Sequence, residues 1–124
     1  MLIFLVAPKI DRRNMKHITV REGESVYIDV KVEGEPVPNT DWMFKDRSFM
    51  GDSEDRVVIH SPHLTKLNFD TTRRADTGVY TLIATNIHGT DKADVRIDVI
   101  CKYRGFESLS PHTNLIYLIC STND

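Results

Sequence analysis

Five histidines and eighteen carboxylates are the side chains of this 124-residue sequence best suited to catalytic or metal chemistry. His60 and His63 form an H-x-x-H pair, the start of a zinc ligand set. Pro62 stands between them, and no cysteine or carboxylate completes the three or four donors that zinc takes. Asp52, Glu54 and Asp55 gather acid in one stretch, without the ordered ligand spacing of a calcium loop, so they read as a solvated turn. The sequence holds no H-E-x-x-H, Gly-rich phosphate loop, C-x-x-C pair or nucleophile elbow. The expectation is a chain with no catalytic residue, cofactor, metal or small-molecule substrate.

Composition narrows the partners. Sixteen basic against eighteen acidic residues leave a net charge of −2, which gives no electrostatic footprint for nucleic acid or an anionic membrane. No apolar run approaches the ~20 residues that cross a bilayer. With 40% apolar and 27% charged residues the chain can build one core, and its length suits one domain. Met1 to Ala7 is apolar but lacks a positive flank, and Pro8-Lys9 follow where a cleavage site would stand, so it reads as an edge strand entering the domain. The only cysteines, Cys101 and Cys120, lie in the last quarter, and no Asn-x-Ser/Thr occurs. A small secreted domain is normally stapled by disulfides, so this usage favours a reducing compartment.

Any chemistry the surface performs must therefore be positioned by strands. Ser25 to Glu33 alternates Val26, Ile28, Val30 and Val32 with polar residues, and Lys92 to Ile100 alternates Ala93, Val95, Ile97 and Val99 likewise. Period two places each set on one face of a half-buried strand. His17 to Arg21, Thr40 to Lys45, Arg56 to His60, Leu64 to Asp70 and Val79 to Asn86 read as further strands. Turn residues separate them: Glu22-Gly23-Glu24, Gly34 to Pro38, Asp46 to Ser53, Ser61-Pro62 and His88-Gly89. Seven or so short antiparallel strands predict an all-β sandwich or small barrel.

One constellation goes further. Asp76-Thr77-Gly78-Val79-Tyr80-Thr81-Leu82 matches D-x-G-x-Y-x-C with leucine in the cysteine position, and Trp42 lies 12 residues after Val30 and 40 before Leu82. This spacing resembles an immunoglobulin domain of the intermediate (I) set from about Pro8 to Ile100. Ala7 to Ile10, Val20 to Glu24, Gly34 to Pro38, Phe44 to Asp46 and Ala84 to Asn86 are similar to modules of giant muscle proteins, titin and above all twitchin. The resemblance implies an I-set β-sandwich with an irregular C-terminal tail. It implies Val30 and Leu82 in the two cysteine positions, a core of Val30, Trp42, Leu67 and Leu82 with the first, second and last in contact, and a tyrosine corner of Asp76, Gly78 and Tyr80. An Arg56–Asp76 pair is common among such domains. Met43 reads as an insertion, since one residue rather than two usually separates the tryptophan from the lysine.

The absent disulfide can be weighed. Closing a loop of about 53 residues would contribute roughly 4 kcal/mol in the chain-entropy model. Full burial of an aliphatic side chain contributes roughly 1.5–3 kcal/mol, so valine and leucine offset much of it.

These readings divide the chain into a lead-in (1–7), an I-set domain (8–100) and a tail (101–124) that is not part of the sandwich. The tail carries the apolar, uncharged Asn114 to Cys120, an aggregation hazard if exposed. Outward-facing Met43 and Ile83 mark a possible partner face. The function implied is a structural and protein-interaction module of a cytoplasmic, sarcomeric titin- or twitchin-like protein. Its partners would be neighbouring immunoglobulin and fibronectin III modules and thick-filament proteins. The alternatives are an extracellular adhesion or receptor domain lacking the core disulfide, and a non-catalytic piece of a protein that carries a kinase elsewhere.

Overall fold

A computed structural model describes residues 6–51 and 54–101. Among the described residues nine strands run in chain order: β1 (Val6–Ile10), β2 (Ile18–Arg21), β3 (Val26–Glu35), β4 (Asn39–Phe44), β5 (Arg47–Ser48), β6 (Arg56–Ser61), β7 (Leu64–Phe69), β8 (Gly78–Asn86) and β9 (Gly89–Ile100). Two short 3-10 turns, Arg12–Asn14 and Arg74–Asp76, interrupt them. One sheet has the order β1-β3-β7-β6 and the other β2-β9-β8-β4-β5. The sheets stack as an immunoglobulin-like sandwich, with the alternating apolar residues of β3, β7, β8 and β9 turned inward.

Burial along β3 alternates without a break over ten residues, and the inward Val26, Ile28, Val30 and Val32 are at most 4% exposed. Its register against β7 sets Val30 beside Thr65 and Ile28 beside Leu67. In the second sheet β8 pairs with β4 so that Trp42 stands opposite Leu82. That register runs unbroken from Asn39↔Thr85 to Phe44↔Tyr80, so Met43 is held in the strand without a bulge. Met43 is an ordinary strand residue opposite Thr81. The chain instead reverses at Lys45-Asp46, both with positive φ (52° and 62°), into the short strand β5 that sequence patterning missed. A two-residue turn with both residues left-handed matches the twist of a hairpin.

The antiparallel expectation also needs correction at one edge. β2 runs parallel to β9, with Ile18↔Ile97 through Arg21↔Ile100. After β1 the chain crosses at the Arg12–Asn14 turn from one sheet to the other, so the N-terminal segment contributes an edge to each. Periodicity reports which residues face inward and carries no information on strand direction.

Asp91 fastens this crossing. Its carboxylate accepts from the Ile10 amide (2.8 Å) and from Arg12 Nη2 (2.8 Å), while Arg12 also donates to the Lys92 carbonyl (2.7 Å). The Arg12 guanidinium holds the Asp91 carboxyl below the usual carboxylate range; burial opposes it, and the Ile10 amide adds a smaller pull in the same direction as Arg12. A lowered native value means the unfolded chain binds the proton more readily, so this contribution is complete above the ordinary carboxylate range and is lost as pH falls below it. Unfolding free energy is expected to decline as pH drops from about 4. The decline should be shallower in Asp91→Asn, as denaturant titrations at stepped pH would show.

Candidate functional site

The candidate site residues fall in three places: the centre of the sandwich, one corner, and one outer face. At the centre, Trp42, Leu67 and Leu82 are fully buried and Val30 is 1% exposed, all in one apolar cluster. The indole needs a polar partner at such depth. Trp42 Nε1 donates to Thr65 Oγ1 across the sandwich (2.9 Å), and Thr65 is the register neighbour of Val30. Thr65 Oγ1 also lies 3.2 Å from His60 Nδ1, and the same nitrogen lies 2.7 Å from Thr40 Oγ1. A polar chain thus runs Trp42–Thr65–His60–Thr40, from β4 through β7 and β6 and back to β4. Sequence reasoning missed Thr65 and Thr40 because no local pattern joins residues 25 apart.

His60 is therefore engaged with two threonines. His63, at the tip of the β6–β7 hairpin with φ of 62°, puts Nδ1 3.0 Å from the Val32 carbonyl and Nε2 3.7 Å from Glu35. The two rings serve different neighbours, and His60 is exposed. No group of three or more His, Cys, Asp or Glu able to hold a metal occurs among the described residues. Glu54 and Asp55 sit in a turn, and Asp52 lies outside the described residues.

At the corner, Tyr80 is fully buried and its hydroxyl donates to the Asp76 carbonyl (2.7 Å). The Asp76 side chain accepts from the Arg73 amide (2.8 Å) and faces Arg56 Nε at 3.8 Å. Side-chain exposures of 8% and 10% make the Arg56–Asp76 pair a buried one, outside the regime of weak surface ion pairs. The Phe44 ring stacks on Tyr80 with centroids 4.2 Å apart and planes 5° from parallel, and Phe49 and Phe69 meet the same tyrosine edge-on or nearly so. Gly78 lies beneath Phe44: a Cβ there would come within 2.6 Å of Phe44 Cε1, at a φ of 154°. Gly78→Ala is therefore expected to cost about 1–3 kcal/mol, as overpacking does. Thermal unfolding would show it, and Phe44→Leu in the same chain should recover part of the loss.

On the outer face of the β9-β8-β4 sheet, Met43 and Ile83 are half-buried. Val79 on the same side of β8 is more open, at 41% exposure. Met43, Phe44, Gly78, Val79 and Thr81 line a shallow depression of about 440 Å³ with the Lys45-Asp46 turn at its rim. Asp94 holds Thr81 (2.7 Å), and Arg96 pairs with Asp98, which also meets His17. No helix among the described residues is long and apolar enough to cross a membrane.

Comparison with known proteins follows this geometry. Human hemicentin-1 is 36% identical over 94 residues, which is 76% of this chain and 2% of that protein. Human myotilin is 29% identical over 87 residues, covering 70% of this chain and 18% of that protein. The chain thus spans only a small part of the curated relatives it matches. Among solved structures, the titin domains Z1Z2 in complex with telethonin superpose with a TM-score of 0.72 at 23% identity, over 80% of this chain and 49% of that one. The twitchin kinase region from C. elegans gives 0.66 at 23%, over 76% and 16%. Both structural likenesses concern the fold. The description "Immunoglobulin I-set domain" matches residues 8–99, so that with the sandwich, the buried tryptophan and the tyrosine corner in place, the chain belongs to the immunoglobulin I-set family.

Proposed function

We propose that this domain is a non-catalytic structural and protein-binding module of a titin- or twitchin-like muscle protein, working in the cytoplasm at the myofibril. Its partners would be neighbouring immunoglobulin and fibronectin III modules and thick-filament proteins. The observation that carries the reading is the core itself. Val30 and Leu82, at most 1% exposed, close the two sheets on Trp42 where secreted relatives place a disulfide. Such a core holds its strength in a reducing compartment. The parallel β2–β9 pair adds a mechanical argument, because it joins an N-terminal strand to the C-terminal one. Tension on the two ends loads its backbone hydrogen bonds together, in shear, and not one at a time. The titin domains that share this fold were solved with a protein partner, telethonin, which supports protein recognition as the task of such a surface.

Expression of the tagged chain in striated muscle tests the proposal. Regular transverse striations in register with the sarcomere are expected. Diffuse signal, or recovery from the medium, would rule it out.

A further inference from the structure

The end of the sandwich where β8 turns into β9 is apolar and almost without charge. Three separate pieces of chain meet there. Asn86 Nδ2 donates to the Val6 carbonyl (2.9 Å) and to the Pro36 carbonyl (3.0 Å), which ties the start of β1, the loop after β3 and the β8–β9 turn together. The side chains beside these bonds are open to solvent: Val6 is 42% exposed, Val37 46% and Ile87 83%. From Gly34 to Thr40 only Glu35 is charged, and from Ala84 to Thr90 nothing is, in a chain with 27% charged residues. The opposite end differs. There the Glu22 amide bonds the Ile100 carbonyl and the Gly23 amide the Thr72 carbonyl, and the turns carry Arg21, Glu22, Glu24, Arg73 and Arg74. Scattered apolar side chains are ordinary on a surface, but three gathered around one asparagine form a patch.

We propose that residues 1–5 of this chain dock on this end, with Phe4 and Leu5 covering Val37 and Ile87. The segment lies outside the described residues; in sequence it is Met-Leu-Ile-Phe-Leu, five apolar side chains in a row, and it joins the sandwich at Val6, inside the patch. The β1–β3 ladder cannot take it. Pairing ends at Val6↔Glu35, and carrying that register on would set Leu5 opposite Pro36 and Ile3 opposite Pro38, neither of which has an amide hydrogen to donate. The segment's way out of β1 therefore runs across the loop and the turn. Reach is sufficient, because Ile87 directly follows Asn86, whose amide is on the Val6 carbonyl, and five extended residues span up to about 17 Å. Covering large apolar side chains is favourable, and the covalent link supplies a high effective concentration that no free partner has. That advantage selects the chain's own lead-in as the occupant. The one carboxylate at the rim, Glu35, faces His63 Nε2 at 3.7 Å. The inference is independent of any muscle role.

Thermal unfolding of the full 124-residue chain at low micromolar concentration tests it through a double-mutant cycle. Phe4→Ser with Leu5→Ser alters the segment, and Val37→Ser with Ile87→Ser alters the patch. Each pair is expected to lower Tm by about 2–5 °C, and all four together by little more than either pair alone, because both pairs remove the same contact. Ile87→Ser alone replaces the second pair if that variant does not fold. Val57→Ser with Ile59→Ser, at 37% and 42% exposed positions on β6, is the control and should add to the segment pair without coupling. Nuclear Overhauser contacts from the Phe4 ring to the Val37 and Ile87 methyls are expected at a concentration where sedimentation shows a monomer. Additive losses from the segment and patch pairs would overturn the proposal. So would coupling of the segment to the β6 pair, or contacts that appear only as concentration rises, as a second copy would give.

Discussion

Leu82→Ala is expected to lower the unfolding free energy by about 2–5 kcal/mol, the range for aliphatic truncations in a core that cannot collapse. Leu82 is fully buried and stands opposite Trp42 on β4, with Val30, 1% exposed, in the same cluster from the facing sheet. The hole left would be walled by the indole and by residues of both sheets. The indole is fixed by its bond to Thr65, so it cannot swing in to fill the space. Relaxation is limited for this reason, and the upper half of the range is favoured. Val79→Ala, three residues earlier on the same strand but 41% exposed, is the control and should change stability by no more than about 0.5 kcal/mol. Denaturant unfolding followed by Trp42 fluorescence reads both, with an unchanged slope in denaturant. A loss below about 1 kcal/mol would mean that Leu82 does not serve as a core closure in place of a disulfide.

What the sequence disclosed depended on how local the signal was. β3 and β9 are legible because one face of each is buried and the other wet, so alternation runs almost their whole length. β6 is harder to read, since most of its residues are exposed and apolar ones fall on both faces. β5 has two residues, too few for any period. The corner is legible because Asp76, Gly78 and Tyr80 lie within five positions and the tyrosine bonds back only four residues. Phe44 over Gly78 is not, because it depends on the β4–β8 register, which nothing in either segment alone fixes. The same holds for the Trp42–Thr65–His60–Thr40 chain. Met43 and Ile83 look outward by parity, as they are, but parity says nothing about how far neighbouring side chains cover them.

Asp76→Ala should be the costlier change at the corner, by about 3–5 kcal/mol, as when one member of a buried ion pair is removed. The aspartate acts twice: Oδ2 accepts from the Arg73 amide, and Oδ1 faces Arg56, whose side chain is 8% exposed. Alanine leaves a guanidinium poorly solvated and also opens the Arg74–Asp76 turn, while the backbone carbonyl that receives the Tyr80 hydroxyl stays in place. Asp76→Asn separates the two roles. It keeps an acceptor for the amide and loses only the charge, so its deficit measures the ion pair. If most of the loss comes from the uncompensated cation, Arg56→Met in the Asp76→Ala background should recover much of it, because an apolar side chain of similar length needs no counter-charge. Equal losses for Asp76→Ala and for the double variant would instead place the energy in the turn. The double-mutant cycle, measured by denaturant unfolding, decides between a corner held by charge and a corner held by its backbone hydrogen bonds.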